Sequence, residues 1–416
     1  MSKISDLIAK LCPNGVEYKK LGEIATIERG NGLQKKDFVP AGVPCIHYGQ
    51  LYTRFRTFAK SALTFVDNKT ASNLKHLAQG DILMAVTSEN VEDVCKCIAW
   101  LGEEDVVVGG HTAIIHHRQN PMYLAYWFQT EDFFTQKRKL AHGTKVIEVT
   151  PKKLEDVVLP VPPLEIQREV VEVLDKFALL TAELTAELEK RKKQYEHYRD
   201  KLLVVADNVE WKLLGEICDV VTDFTAAGSF ADIAKNVVYQ KKQEYAQLVR
   251  TTDLKSNFEK SEQVYVTESA FKYLWRVNLD REGIVLPNVG NCGEVYYVTP
   301  EKLPYEHNVL GPNALWVRSS CCNIRYLSYW FGGEDFQKRL RKIVSPVGQS
   351  KFNKTELKKL SIPLPPLAEQ ERIVKILDRF DKLCNDLTSG LPAEIAARKK
   401  QYEYYRDKLL SFKRAG

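Results

Sequence analysis

Polar, basic and aromatic side chains that can bond to nucleic acid gather in several short segments. In the first half of the chain these are Arg29, Asn31, Gln34, Lys35 and Lys36, then His47, Tyr48, Gln50, Arg54 and Arg56, then Ser88 and Asn90, and finally Thr144 and Lys145. In the second half they are Thr222, Arg250, Thr251, Asn288, Asn291, Gln349, Ser350 and Lys351. Arginine and lysine match the edge of guanine, asparagine and glutamine match adenine, and many basic side chains contact only phosphate. For each residue taken singly, a solvated loop side chain is an equal alternative.

Sequence motifs for catalysis are absent. The chain has no N-P-P-[YF] tetrapeptide of the kind that grips a flipped adenine, no G-x-G-x-x-G, no P-loop motif and no H-E-x-x-H. The adjacent His116 and His117 would point to opposite sides of a strand, which suits neither a metal site nor a catalytic triad. The nine cysteines lack the paired C-x₂-C spacing of a zinc site. We therefore predict no catalytic and no metal-binding residue, while a diffuse nuclease motif of Asp, Glu and Lys stays open.

Length and charge bound the class of protein only loosely. The 416 residues predict two to three domains, and 60 Lys and Arg against 54 Asp and Glu give a net charge of +6. That excess is compatible with a nucleic-acid partner, but many unrelated proteins carry as much. Met1–Lys10 has no apolar run typical of a signal peptide, and no segment offers the roughly 18 apolar residues of a membrane span. We therefore expect a cytoplasmic protein with reduced cysteines and no membrane contact.

The sequence consists of two copies of one unit. Four segments recur, namely Glu17–Ile24 as Glu210–Ile217, Tyr123–Phe133 as Tyr326–Phe336, Leu159–Phe177 as Ile362–Phe380, and Arg191–Leu203 as Arg398–Leu410. We call these eight segments the shared frame. The interiors, between Ile24 and Tyr123 and between Ile217 and Tyr326, align only at scattered apolar positions. One scaffold with two diverged surfaces suits two different ligands, or two halves of one ligand.

Long helices should follow the proline pairs Pro162-Pro163 and Pro365-Pro366, because proline ends a strand and tolerates the first turn of a helix. In the first copy a heptad-like stripe comprises Val170, Leu174, Phe177, Thr181, Leu184, Leu188, Arg191, Tyr195, Tyr198 and Leu202. The second copy repeats it with Ile373, Leu377, Phe380, Cys384 and Leu387. Four extra residues then appear around Ser389–Pro392, where Pro392 should kink or break the helix. Each stripe needs a partner, which we predict to be the other copy, packed antiparallel; a coiled-coil spacer of unknown purpose is the alternative.

The diverged interiors predict mixed α/β structure. Short apolar, β-branched runs at Gly80–Val86, Asp105–Val108 and Gly283–Leu286 predict strands separated by polar loops. The aromatic segments Tyr123–Phe134 and Tyr326–Phe336 predict helices. Their apolar stripe is expected to lie in the core rather than to stack on a ligand.

The shared frame resembles the specificity subunits of type I restriction–modification systems. The resemblance rests on LPVPPLEIQ (Leu159–Gln167) and IPLPPLAEQ (Ile362–Gln370), each followed by an Ile/Val-rich helix with L-D-[KR]-F, and on the twice-repeated L-G-E-I. VRTTDLK (Val249–Lys255) and the segment 347–367 resemble a loop and an exit segment of these proteins. The first copy departs from the exit pattern at His142–Val149, so the loop likeness is weaker there.

The resemblance implies two mixed α/β target-recognition domains separated by two long antiparallel coiled-coil helices, with an internal pseudo-two-fold repeat. The corresponding divisions are 1–159 and 206–361 for the recognition domains, and 160–205 and 362–416 for the helices. Each domain would read one half of a split, asymmetric site in double-stranded DNA, with the polar residues above as candidate contacts. The helices would set the spacing and dock two modification subunits. No cofactor would bind this chain, because the modification subunits use S-adenosylmethionine and two restriction subunits use ATP and magnesium.

Two other classes stay open. An interaction protein would use the same duplicated domains and helices to bind proteins, and would show no sequence-dependent DNA binding even with partners present. An unrecognised nuclease, or the recognition half of a fused modification enzyme, would show magnesium- or S-adenosylmethionine-dependent activity from the purified chain alone.

Deletion of Ser389–Pro392 should alter either the assembly of the complex or the spacer length that it prefers. The reason is that this four-residue insertion changes how the two helical segments register. The complex is purified and its methylated motif is mapped for both forms of the chain. An unchanged complex with an unchanged motif would refute this role for the insertion.

Overall fold

The computed structural model describes residues 2–204, 208–259, 262–345, 349–386 and 389–416. The chain divides into two compact units, one comprising the residues up to Thr185 together with Glu394–Gly416 and the other Ala186–Ala393. The predicted boundary between residues 205 and 206, residues 347 and 348 of the exit segment, and Leu387 of the helical stripe lie outside the described residues.

The first unit is mixed α/β. Its elements are α1 (Ser2–Leu11), β1 (Tyr18–Lys20), α2 (Leu21–Ile24), β2 (Ala25–Arg29), β3 (Phe38–Val39), β4 (Val43–Ile46), α3 (Tyr48–Thr53), β5 (Phe58–Ala59), β6 (Thr64–Val66), α4 (Asn68–Ala71), β7 (Lys75–Leu77), β8 (Ile82–Ala85), β9 (Thr87–Ser88), β10 (Cys97–Trp100), β11 (Val106–Val108), β12 (Thr112–His117), α5 (Pro121–Trp127), α6 (Glu131–Leu140), β13 (Ile147–Glu148), α7 (Pro151–Leu154), β14 (Val158–Pro160) and the first half of α8 (Leu164–Leu203). Two five-stranded sheets, ordered β2-β12-β8-β10-β5 and β3-β6-β4-β11-β7, occur among its described residues. In each of them, one strand pair is parallel and the others are antiparallel.

The second unit has the same plan with smaller sheets. After the second half of α8 come β15 (Trp211–Leu213), α9 (Leu214–Ile217), β16 (Val220–Asp223), α10 (Phe230–Asn236), β17 (Ala246–Val249), α11 (Thr251–Lys255), β18 (Tyr265–Val266), α12 (Glu268–Tyr273), β19 (Gly283–Pro287), β20 (Tyr296–Val298), β21 (Asn308–Leu310), β22 (Ala314–Arg318), α13 (Ile324–Gly332), α14 (Glu334–Ile343), α15 (Lys354–Lys358), β23 (Ser361–Pro363) and α16 (Leu367–Asn385); α17 (Leu391–Leu409) follows and lies mostly in the first unit. The main sheet has the order β16-β22-β19-β20.

The predicted strands are confirmed. Gly80–Val86 contains β8, Asp105–Val108 contains β11, and Gly283–Leu286 lies within β19. Every residue of these three strands is buried. Their continuous apolar character, without an alternating polar face, follows from burial on both faces of the sheet.

The first and last strands of each unit pair with each other. Tyr18 lies opposite Pro160 in the first unit, and Trp211 lies opposite Pro363 in the second, both antiparallel. The L-G-E-I segments each form one helical turn directly after the first strand. The glutamate of that turn accepts a hydrogen bond from the backbone N–H three residues earlier, at 2.6 Å in the first unit and 3.0 Å in the second. The repeated ends of the unit therefore close it in the same way twice.

The aromatic segments are buried as predicted, but each forms two helices instead of one. Leu124 and Trp127 are fully buried in the core. A second helix begins after Thr130. The Thr130 hydroxyl accepts from the backbone N–H of Phe133 and donates to the carbonyl of Trp127. In the second unit Gly333 separates α13 from α14. Thr130 caps its new helix with the hydroxyl, as N-cap residues do, whereas at Gly333 the backbone N–H of Glu334 donates to Asp200 at 3.1 Å.

A buried glutamine joins the aromatic helix to the long helix in each unit. The Gln167 side-chain oxygen accepts from the backbone N–H of Asn120 at 2.9 Å, while its nitrogen donates to the Pro162 carbonyl at 2.8 Å. Gln370 makes the matching bonds to Asn323 and Pro365, at 2.9 and 2.7 Å. This is the glutamine of P-P-L-x-x-Q, so the repeated motif encodes a repeated joint.

Two tyrosines of each aromatic helix add to that joint. The hydroxyl of Tyr126 donates to Asp175 at 2.6 Å, and the hydroxyl of Tyr329 donates to Asp378 at the same distance. Tyr123 likewise donates to the carbonyl of Pro160 in the last strand. Burial, followed by the neighbouring carboxylate, raises the pKa of Tyr126 well above its usual range, so it stays a donor. The aspartate of L-D-[KR]-F is thus explained as the acceptor on the long helix.

Helix α8 has 40 residues, which corresponds to about 60 Å. In the first unit Phe177 of α8 stacks on Tyr405 of α17, with ring centroids 5.3 Å apart. In the second unit the equivalent pair, Phe380 of α16 and Tyr198 of α8, stacks at 5.7 Å. The second copy is interrupted as predicted, because α16 ends at Asn385 and α17 begins at Leu391.

The adjacent histidines of β12 have separate environments. Nδ1 of His116 lies 2.9 Å from the carboxylate of Asp81. Nδ1 of His117 accepts from the backbone N–H of Gln119, and burial lowers the pKa of His117 to about 4. Among the described residues, no helix combines the length and apolar composition needed to cross a membrane.

Replacing Gln167 by leucine should lower the free energy of unfolding by about 3 kcal/mol, because the buried N–H of Asn120 and the carbonyl of Pro162 both lose their partner. Urea unfolding of the purified chain measures the change. Gln79→Leu, at an exposed glutamine, is the matched control and should shift the midpoint little. Equal shifts for the two variants would contradict the structural role of Gln167.

Candidate nucleic-acid interface

Three predicted contact residues of the first unit, Arg29, Asn31 and Ser88, lie at or just beyond the ends of two strands of one sheet. Arg29 is the last residue of β2, Ala85 is the last of β8, and Thr112 is the first of β12. The strands are paired so that these three residues lie at the same edge of the sheet. We call this side of the sheet, with the loops that leave it, the loop edge.

The second unit has an equivalent loop edge. Asp223 ends β16, Pro287 ends β19 and Ala314 begins β22, with the same pairing between strands. Asp223 therefore takes the place of Arg29, and the residues just beyond the strands can be matched one to one.

Backbone hydrogen bonds at the two loop edges are the same. The N–H of Val86 donates to the carbonyl of His111 at 2.9 Å, and the N–H of Asn288 donates to that of Asn313 at 3.1 Å. The carbonyls of Val86 and Asn288 then accept, at 3.0 Å in both units, from Val149 and Phe352 of the exit loops. Sequence alignment missed this equivalence because the side chains at matched positions share no chemistry.

The first loop edge carries a linked set of polar and aromatic side chains. The guanidinium of Arg29 lies 2.8 Å from Glu148 and donates to the carbonyl of Gly110. The hydroxyl of Thr87 is 3.0 Å from Nδ1 of His111, whose ring packs on Tyr48 at 4.8 Å between centroids. A cation, an imidazole and a phenol therefore lie along one edge, all suited to hydrogen bonds or stacking with bases.

Two of the other predicted residues in the first unit have internal partners. His47 is buried; its ring accepts from the N–H of Gly49, and burial, then Lys35, lowers its pKa. Gln50 accepts from the backbone of His47 and donates to Thr64. These contacts shape α3, so base contacts by His47 and Gln50 remain predictions.

The remaining predicted residues of the first unit are mostly exposed. Ser88 pairs with Ile147 of the exit loop, and the side chain of Asn31 donates to the carbonyl of Asn73. Asn90 exchanges hydrogen bonds with Asp93. Exposed side chains belong to Gln34, Lys35, Lys36, Arg54, Arg56, Thr144 and Lys145.

The second loop edge carries different chemistry at matched positions. Asp223 forms an ion pair with Lys354 at 3.3 Å, so the polarity of the Arg29–Glu148 pair is reversed. The Asn288 amide donates to the carbonyl of Phe352, while its Oδ1 is buried and has no hydrogen-bond partner among the described residues. Ser350 accepts from the N–H of Gly290 at 2.7 Å.

The other predicted residues of the second unit differ in their exposure and in their hydrogen bonds. The Arg250 guanidinium is held by the fully buried Asp253 at 2.8 Å and by the carbonyl of Glu262 at 2.5 Å. Thr251 begins α11 beside it, and Thr222 lies within β16, opposite Trp316. Exposed side chains belong to Asn291, Gln349, Ser350 and Lys351.

Sequence reasoning missed His111, Glu148, Asn313 and Lys354 at the loop edges. Gly109-Gly110 before His111 and Gly311-Pro312 before Asn313 were turn signals that could have marked both positions. It also missed Lys137, whose buried ammonium donates to the carbonyls of Glu92 and Val94 at 2.8 and 2.7 Å. Lys137 thereby holds the loop that follows Ser88.

The chain therefore contains the same backbone frame twice, and each copy carries different side chains at its loop edge. This arrangement is that of a two-domain recognition protein. A family model described as the type I restriction modification DNA specificity domain matches residues 13–191 and again residues 207–397. The chain therefore belongs to the type I restriction–modification specificity subunits and carries two recognition domains.

Individual relatives agree with the family. The Escherichia coli type I restriction enzyme EcoR124I/EcoR124II specificity subunit is 36% identical over 257 residues, which cover 61% of this chain and 61% of that protein. A Haemophilus influenzae protein named as a putative type I restriction enzyme specificity subunit is 30% identical over 284 residues, which cover 65% of this chain and 68% of that protein. A chain solved in a study of complex assembly and conformational transition of the type I R-M system superposes with a TM-score of 0.61 and 16% identity, covering 95% of this chain and 97% of that one. That last likeness shows a common fold.

Replacing Lys137 by methionine should increase amide hydrogen exchange in residues 90–95, because two buried carbonyls lose a charged donor, a local cost of about 2–4 kcal/mol. Hydrogen-exchange mass spectrometry of the purified chain measures the effect. Lys139→Met changes an exposed lysine of the same helix and serves as the control. Unchanged protection of 90–95 in the Lys137 variant would rule out its positioning role.

Proposed function

We propose that this chain selects the DNA sequence on which a type I restriction–modification complex acts, and that it performs no catalysis itself. Each recognition domain reads one half of a split, asymmetric site through its loop edge. The observation that carries the proposal is the pair of equivalent backbone frames bearing different side chains, with Arg29 and His111 matched by Asp223 and Asn313.

The chemistry of the two edges suits the major groove. Every base pair there presents its own pattern of donors, acceptors and methyl groups, so a set of fixed side chains can discriminate among them. Arg29 on the first edge suits guanine, and the exposed Asn313 on the second suits adenine. Because the two edges differ, the two half-sites should differ, and the whole site should be asymmetric.

The shared frame serves functions that both halves have in common. Its last segments, Arg191–Leu203 and Arg398–Leu410, are nearly identical in the two copies, so they cannot distinguish one half-site from the other. Two readers on one face of DNA stand about one helical turn apart, near 34–36 Å, and helices of fixed length suit that requirement. We assign to the helices the spacing of the half-sites and the docking of two modification subunits, one for each copy of the frame.

Cofactor chemistry belongs to the partners in this proposal. The modification subunits bind S-adenosylmethionine and methylate adenine, and two restriction subunits use ATP and magnesium to move along and cut DNA. This chain binds no cofactor and works in the cytoplasm.

Adenine methylation of the host genome tests the proposal. With the gene present, modification-sensitive sequencing should reveal a split adenine-methylated motif, and deletion of the gene should remove it. Genes for His111→Ala and Asn288→Ala are then returned separately to the deletion strain. Since each residue lies on a different loop edge, each variant should relax or abolish one half-site only, and the other variant is its control.

Either of two results would contradict this assignment. Identical methylation with and without the gene would mean that this chain does not determine which DNA sequence is methylated in its host. If one variant changed both halves of the methylated motif, each loop edge would not read a single half-site.

A further inference from the structure

The most exposed large apolar side chain in the described part of the chain borders the second loop edge. Phe230, at the start of α10, is 82% exposed. It lines a groove together with Asp223, Asn288 and Asn313, which are the loop-edge residues of that unit. A phenylalanine this exposed gains nothing for folding, because burial of the ring is what would stabilise the protein.

The helix itself holds the ring at this place. Ile233 lies three residues after Phe230 on the same face of α10, and Val237 follows the last residue of the helix; both are buried in the core of the unit. The apolar stripe therefore continues past the core and ends with Phe230 over the groove. Ser229 accepts from the N–H of Asp232 and caps the helix, which fixes where the stripe ends.

Among the described residues of the first unit, α10 and Phe230 have no counterpart. The segment of that unit between β2 and β4 forms a 3₁₀ turn at Lys35–Asp37 and the short strand β3. Phe230 and α10 are thus a feature of the second recognition domain alone. A contact made by this ring would act on one half-site.

We infer that Phe230 contacts the methyl group of a thymine in the half-site read by the second domain, an inference that rests on the proposed function. In the major groove thymine is the base that presents an apolar group, and phenylalanine is one of the side chains that contact it. Asn313, which is exposed and lines the same groove, suits adenine, and adenine pairs with thymine. One A·T pair, or two neighbouring ones, can therefore satisfy both side chains.

The test uses the full chain in complex with its modification subunits. The half-site of the second domain is the one altered by Asn288→Ala. Each thymine in that half is replaced in turn by deoxyuridine, which keeps the base pairing and removes only the methyl group. At one position the replacement should weaken binding about fourfold, the change expected for one buried methyl group.

Variants assign that loss to the ring. Phe230→Ala should weaken binding to the normal duplex at least as much, and should then be insensitive to deoxyuridine at that position. Phe230→Leu should keep part of the sensitivity to deoxyuridine at that position. Trp275→Ala is the control, since Trp275 is 65% exposed in the same unit but does not line the groove; it should keep the full sensitivity.

The outcomes separate this inference from the proposed function. A wild-type complex that binds no specific sequence would refute the proposed function. A complex that binds its motif, but whose second half-site lacks thymine or tolerates every deoxyuridine, would overturn only the contact by Phe230. The contact by Phe230 would also be overturned if Phe230→Ala kept its sensitivity to deoxyuridine, or if Trp275→Ala lost it.

Discussion

The hydrogen bonds of two buried glutamines, Gln167 and Gln370, are the interaction on which both recognition domains depend. Each binds the backbone at the start of an aromatic helix and the carbonyl just before a long helix. Because neither side chain reaches water, every unmade bond would cost its full desolvation. The aromatic helix is therefore held in one orientation on the long helix, and the sheet that packs on the aromatic helix is held with it.

This arrangement explains how the interiors can diverge without loss of the fold. At the loop edges Val86 and Asn288 hold strand and exit loop together through the same backbone bonds in both units, and in the second unit the Asn288 side chain adds one bond to the carbonyl of Phe352. A backbone bond tolerates nearly any side chain, so an imidazole at His111 and an amide at Asn313 occupy equivalent places. The constraint on sequence lies in the shared frame, and the freedom to change recognition lies at the edges.

The same division decides what could be predicted from sequence. Strands, the proline-started helices and the break near Pro392 were predictable, because apolar runs and proline act locally. The split of the aromatic segments at Thr130 was missed, since capping competes there with a continuous apolar stripe. Burial of His47 and the pairing of Arg250 with Asp253 could not be predicted either, because composition cannot tell which loop residues face inward.

The ion pairs at the loop edges show why composition says so little about recognition. Arg29–Glu148 and Asp223–Lys354 are partly exposed pairs of opposite polarity, and such pairs contribute about 0–1 kcal/mol to stability. They orient their side chains at little energetic cost, and pre-oriented groups lose less entropy when a ligand binds. A net charge of +6 would be the same if either pair were inverted. The arrangement of charge at each edge, rather than its sum, is therefore what makes the two edges of one fold different.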